Sequence, residues 1–167
     1  MSSPTLPVTL ALPSEEDTAA LAERIGALAR AGDVLLLSGP IGAGKTHFAR
    51  ALIRARLAEH GLAEDIPSPT FTLVQSYEAG PLEIWHADLY RLTHPDEVVE
   101  LGLTDAFETA LCLVEWPDRL GDLAPATALW LEFAALPDGG HRVTLSGDTA
   151  WATLLAGIVK DFTHAEP

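Results

Sequence analysis

The run Gly39-Pro40-Ile41-Gly42-Ala43-Gly44-Lys45-Thr46 satisfies the pattern G-x-x-x-x-G-K-[ST] of a P-loop. Few motifs restrict a fold so tightly, because the loop works only between a buried strand and the first turn of a helix. Glycines at 39, 42 and 44 permit φ values that other residues resist and let backbone amides approach phosphate oxygens. The helix N-terminus adds unpaired N–H groups and a favourable dipole. Ile41 and Ala43 contribute further loop amides, Lys45 a point charge for β- and γ-phosphate oxygens, and Thr46 a hydroxyl able to ligate magnesium. A nucleoside triphosphate is the expected ligand, and no Asn-Lys-x-Asp run is present to read guanine.

The flanking sequence supplies the required context. Asp33 to Ser38 contains Val-Leu-Leu-Leu, an apolar run of strand length that implies burial on both faces. Lys45 to about His60 reads as a helix stopped near Gly61. Upstream, Ser14 to Ala31 has helical periodicity, capping-box spacing between Ser14 and Asp17, and Gly32 where a C-terminal cap belongs. Downstream, Pro67 and Pro69 make Ile66 to Tyr77 a loop feeding a strand. Leu82 to Leu89 and Leu111 to Val114 read as strands, with two short helices at Pro95 to Leu101 and Thr104 to Ala110. Ala128 to Ala134 and Arg142 to Leu145 are strands joined by a turn at Asp138-Gly139-Gly140, and Trp151, Leu154, Leu155 and Ile158 mark a final helix. The expectation is α/β: one P-loop NTPase-type domain over residues 1–167, with a central mixed β-sheet flanked by helices.

Magnesium bound to a triphosphate needs a second protein oxygen, and P-loop proteins place an acid at the end of a neighbouring buried strand. Glu115 closes Leu111 to Val114, where a free carboxylate would emerge at the C-terminal edge of the sheet, so Thr46 and Glu115 are the expected metal residues. Asp88, closing the strand from Leu82, is the second candidate acid. Thr70, after the two prolines, offers a hydroxyl able to sense a γ-phosphate, against ordinary turn chemistry for the same residues. The histidines at 47, 60, 86, 94, 141 and 164 lack metal-ligand spacing and read as structural or solvated.

Composition narrows the partners. The net charge is −14 and lysine occurs only at 45 and 160, so no basic stripe exists to neutralise a nucleic-acid backbone, and direct DNA binding is excluded. A solvated surface accounts for such acidity, with a basic protein partner as the sharper alternative. No apolar run approaches the roughly 18 residues of a membrane span, and no secretory signal opens the chain. The single cysteine, Cys112, lies inside an apolar run and reads as a buried inert thiol of a reducing compartment, which implies the cytoplasm.

Taken together, the P-loop, Pro67-Ser-Pro-Thr-Phe-Thr-Leu-Val74, His86-Ala-Asp-Leu-Tyr-Arg-Leu92, the stretch from Asp96-Glu97 to Leu101-Gly102, and Leu113-Val-Glu-Trp-Pro117 resemble the TsaE family in order and spacing. That family is the P-loop ATPase component of bacterial tRNA threonylcarbamoyladenosine biosynthesis. The likeness runs from about Leu12 to Pro117 and thins to strands and a helix beyond. It implies ATP with Mg²⁺ as cofactors, Lys45 and Thr46 on phosphates and magnesium, and Glu115 as the second metal-associated acid. It further implies Asp88 in the hydrolysis site, Thr70 in a switch-like loop, Trp116 beside the site and Thr18 on the adenine-side wall. His47 departs from the small hydroxyl residue often found there. The implied partners are TsaD and TsaB, with tRNA contacted only through them. In that picture the chain binds and hydrolyses ATP to reset the complex that forms the threonylcarbamoyl group on adenosine 37 of tRNAs reading ANN codons, and is not itself the transferase.

Two other classes use the same loop. A stand-alone small-molecule kinase needs a lid bearing arginines, and no Arg-rich segment stands out among the eight arginines here. A nucleotide-dependent binding switch with little turnover shares every motif above.

Overall fold

The computed structural model describes residues 6–166. A seven-stranded mixed sheet organises them, in the order β1-β7-β6-β2-β5-β4-β3. Its strands are β1 (Val8–Leu12), β2 (Val34–Ser38), β3 (Val74–Ala79), β4 (Leu82–Asp88), β5 (Leu111–Glu115), β6 (Leu129–Ala135) and β7 (His141–Ser146), and its helices are α1 (Glu15–Leu28), α2 (Lys45–Ala58), α3 (Asp96–Glu100), α4 (Leu103–Thr109) and α5 (Thr149–Val159). The four middle strands, β4, β5, β2 and β6, run parallel. β3 closes one edge antiparallel to β4, and β7 and β1 close the other.

Strand burial explains the apolar runs. Side chains alternate between sheet faces, so a strand covered on both sides has no polar position to spare. Leu35 and Leu37 of β2 join the core under α1, α2 and α5, whereas Val34 and Leu36 join the core under α3 and α4. All five residues of β5 are buried.

Local boundaries follow hydrogen-bond chemistry. Ser14 and Asp17 form the anticipated capping box: the Ser14 N–H donates to Asp17 Oδ2 at 3.0 Å and the Asp17 N–H to Ser14 Oγ at 3.3 Å. α1 stops at Leu28, short of Ala31, because the Arg30 N–H turns to Asp33 Oδ2 at 2.8 Å. Gly32 is therefore a loop residue whose N–H donates to the Ala110 carbonyl, not the helix cap. α2 ends as expected near Gly61: the Leu62 N–H reaches back to the Leu57 carbonyl across Gly61, which has φ +68°.

Two features go beyond the sequence reading. β1 is an additional edge strand between Pro7 and Pro13. A 3₁₀ segment, Pro117–Leu123, follows β5. The expected loop feeding a strand is present: it runs through Leu73, which adopts φ +69°, β3 begins at Val74, and Phe71 in the loop is 81% exposed.

Candidate functional site

Parallel pairing places three strand ends side by side. Leu37 of β2 lies opposite Glu115 of β5, and Glu115 opposite Asp88 of β4. Such C-terminal strand ends are where open α/β sheets bind ligands. The glycine loop leaves β2 at this edge and returns as α2, so the first turn of α2 faces the ends of β4 and β5. Period-two alternation puts His86, Asp88 and Glu115 on the sheet face that α2 covers.

Loop glycines meet two different demands. Gly39 has φ +133°, and a Cβ there would collide with the Phe133 carbonyl of β6. Gly44 caps α2 at φ +104°, and Gly42 sits at φ +81°, where a Cβ would meet nothing within 4 Å. At Gly42 backbone conformation alone calls for glycine, whereas at Gly39 the close approach of another strand does so as well.

Glu115 is 2% exposed and both its oxygens are engaged. Thr46 donates its hydroxyl to Oε1 at 2.7 Å, and His86 Nε2 lies 2.7 Å from Oε2. The sequence reading anticipated a free carboxylate at the sheet edge; burial forbids that, since an unpaired charge here is costly. His86, read as structural or solvated, is 0% exposed and directly bonded to this acid. Part of its signal was present: it lies two residues from Asp88 in the same strand and so on the same face.

Asp88 accepts the Tyr90 N–H on Oδ1 at 3.0 Å and the Thr70 hydroxyl on Oδ2 at 3.3 Å. Ser68 Oγ, 2.7 Å from Thr70 Oγ1, extends this chain of hydroxyls and was not singled out from sequence. Lys45 Nζ bonds the Gly39 and Pro40 carbonyls and stands 3.8 Å from the centroid of the Trp116 ring. Tyr90 packs on that ring with centroids 4.8 Å apart. Trp116 adopts φ +60°, an uncommon value for a bulky residue, at the point where β5 turns into the 3₁₀ segment. Burial lowers the Lys45 pKa from its ordinary 10.5, while the carboxylates of Glu115, Asp88 and Asp118 act in the opposite direction.

These groups line a cleft of about 470 Å³, within the range of small-molecule sites. Ile41, Gly42, Gly44, Lys45 and Thr46 form one wall, and Thr70, Asp88, Glu115 and Trp116 face them. Thr18, with Glu15 of α1, stands on a further side. Gly39 and Ala43 do not line it: Gly39 is pressed against β6, and Ala43 is 1% exposed beneath the loop. His47 and His141 also line it: His47 Nε2 lies 3.0 Å from the Glu15 carbonyl, and His141 Nε2 lies 3.3 Å from the Gly42 carbonyl. Arg91 is the arginine on the cleft wall, stacked over the exposed Phe71 ring at 4.6 Å.

The donor set suits a hard divalent cation. Octahedral magnesium at 2.0–2.1 Å from oxygen puts adjacent ligands about 2.9 Å apart, close to the 2.7 Å between Thr46 Oγ1 and Glu115 Oε1. Among the described residues no group of three or more His, Cys, Asp or Glu could hold a metal by itself. An ion here therefore needs phosphate or water oxygens to complete its shell.

Comparison with known proteins decides the family. Residues 12–143 match the family model for the threonylcarbamoyl adenosine biosynthesis protein TsaE. The chain belongs to the TsaE family. The match continues past Pro117, where likeness from motifs alone thins, and takes in β6 and the start of β7. The tRNA threonylcarbamoyladenosine biosynthesis protein TsaE of Rickettsia felis is 33% identical over 95% of this chain and 88% of its own length. The Bacillus subtilis TsaE is 35% identical over 78% of this chain and 80% of its own. The crystal structure of Bacillus subtilis YdiB superposes with a TM-score of 0.75 at 26% identity, covering 96% of this chain and 99% of that one. In this TsaE-family chain, no helix among the described residues is long and apolar enough to cross a membrane.

Proposed function

We propose that this chain binds ATP with Mg²⁺ in the Gly39–Thr46 cleft and hydrolyses it as a subunit of a complex with TsaD and TsaB. That complex forms the threonylcarbamoyl group on adenosine 37 of tRNAs reading ANN codons, in the cytoplasm, and this subunit does not perform the transfer. The observation that carries the reading is the convergence of Lys45, Thr46, Asp88 and Glu115 on one cleft at the C-terminal edge of the sheet. Family membership supports the role in threonylcarbamoyladenosine biosynthesis.

Each residue has a chemical part. Loop amides and the α2 N-terminus grip phosphate oxygens, and Lys45 leaves its contacts with the Gly39 and Pro40 carbonyls to pair with them. Thr46 Oγ1 and Glu115 Oε1 hold magnesium, which neutralises charge on the phosphates when bound. Glu115 has both oxygens occupied, so Asp88, whose Oδ2 has only the long 3.3 Å contact with Thr70, orients the attacking water. Thr70 couples Asp88 to its loop, so γ-phosphate loss is felt at the exposed Phe71. Trp116 and Tyr90 wall the cleft beside Lys45, and Thr18 borders the base. Transfer to a metabolite is disfavoured because, among the described residues, Arg91 alone supplies a guanidinium to the cleft. The strongly acidic surface leaves tRNA contact to the partners.

The test is ATP turnover by the purified protein, with and without TsaD and TsaB. Slow turnover alone and a marked rise with both partners is expected; phosphoryl transfer to a metabolite faster than to water would reverse the reading.

A further inference from the structure

We infer that His86 is a positioning residue for the metal-side carboxylate: its imidazole clamps Glu115 Oε2 so that Oε1 stays beside the Thr46 hydroxyl. This rests on the reading of Thr46 and Glu115 as a magnesium site. A Glu side chain ending in a cleft has several rotamers, and two acids stand at register-paired strand ends here. Something must choose which way the Glu115 carboxylate faces. His86 does so from β4, where its backbone pairs opposite Leu113, two residues before Glu115. The ring is 0% exposed and so cannot trade this partner for solvent.

The hydrogen-bond inventory of the ring supports a dedicated role. Nε2 lies 2.7 Å from Oε2, and Nδ1 has no hydrogen-bond partner among the described residues. Bonded to a carboxylate, Nε2 carries the proton and donates it. A histidine kept only for packing would leave two buried nitrogens to satisfy; this one satisfies the nitrogen that meets Glu115. The result is a chain from His86 Nε2–H to Oε2, through the carboxylate, and from Oε1 to the Thr46 hydroxyl, running from a core strand to the first turn of α2. Partners that orient a ligating group in this way typically change metal affinity 10–100-fold when removed.

The variants His86→Gln and His86→Asn separate orientation from packing. The longer amide reaches the place of Nε2 and the shorter one does not, while both keep the site polar. ADP binding measured by calorimetry, in Mg²⁺ and again in EDTA, reads the magnesium-dependent gain in affinity directly. His86→Asn is expected to lose about tenfold of that gain with its EDTA affinity unchanged, and His86→Gln to retain it. Should the Asn variant not fold, His86→Leu, which fills the apolar layer without a donor, carries the same expectation. A full magnesium gain in the Asn or Leu variant, equal losses in Asn and Gln, or an equal loss in EDTA would overturn the role of His86. Absence of any magnesium gain in the unaltered protein would instead remove the magnesium site itself, and the inference with it.

Discussion

Thr46 and Glu115, 69 positions apart in sequence, meet through one hydroxyl–carboxylate hydrogen bond of 2.7 Å. The bond ties the first turn of α2 to the end of β5, so the loop between β2 and α2 is held at both ends. Helix and strand meet here because β2 and β5 are parallel neighbours, and the loop leaving β2 must pass over the end of β5.

Replacing Glu115 by Ala should therefore do two things. Hydrolysis is expected to fall roughly 10–100-fold through loss of a metal-side oxygen, with a smaller effect on nucleotide binding. Stability should fall by about 1–3 kcal/mol because His86 Nε2–H is left buried without an acceptor. Turnover assays and urea unfolding measure the two effects separately. Unchanged hydrolysis would take this acid out of the metal site.

The lowered pKa of Lys45 makes nucleotide affinity sensitive to alkaline pH. Burial disfavours its ammonium in the free protein, so its pKa lies below 10.5 there. A bound phosphate favours the charged form and raises the value. Between the free and bound pKa values, binding takes up a proton, and affinity falls as pH rises through that window. Free-protein stability has the opposite slope, because the unfolded chain, with its ordinary lysine, holds more protons there. A calorimetric pH series should show the falling affinity, and Lys45→Arg should flatten it, since a guanidinium stays charged throughout.

Gly39 and Gly42 should differ under the same substitution. Gly42→Ala meets no neighbour and carries only the cost of a positive φ, about 1–2 kcal/mol. Gly39→Ala adds a collision with the Phe133 carbonyl and should cost clearly more. The midpoints of urea unfolding for the two variants give the comparison, and equal shifts would mean that β6 moves aside.

Much of this architecture is legible in the sequence alone. The apolar strands, the capping box at Ser14 and the glycine loop each express a local rule that tertiary packing does not override. β1 is also legible in principle, since Val8, Leu10 and Leu12 alternate between two prolines, but a five-residue edge strand carries too little pattern to stand out. The loop after Pro67 is legible from its prolines, but the point where it becomes a strand is not: Leu73 at positive φ turns the chain, and its carbonyl accepts the Asp88 N–H at 2.8 Å. At the site, motif spacing identifies Thr46, Asp88 and Glu115. Spacing sets His86 on the face of Asp88 but does not identify its partner Glu115, which is fixed by strand register, a non-local property.

Cys112 should be silent in the native protein. Burial pushes its thiol up to about 12, so almost no thiolate exists near neutral pH and no path leads a reagent to it. A thiol-specific alkylating agent is expected to leave the folded chain unmodified and to label one site in denaturant. Rapid native labelling would contradict the packing of β5 between its two layers.

If the loop from Gly39 to Thr46 grips a nucleoside triphosphate through its amides and the Lys45 ammonium, removing that ammonium abolishes binding. Calorimetric titration of ATP with Mg²⁺ into the unaltered protein and into Lys45→Ala reads this. Saturable binding in the first and no detectable heat in the second is the predicted result. No binding by the unaltered protein, or equal affinity in both, would contradict it.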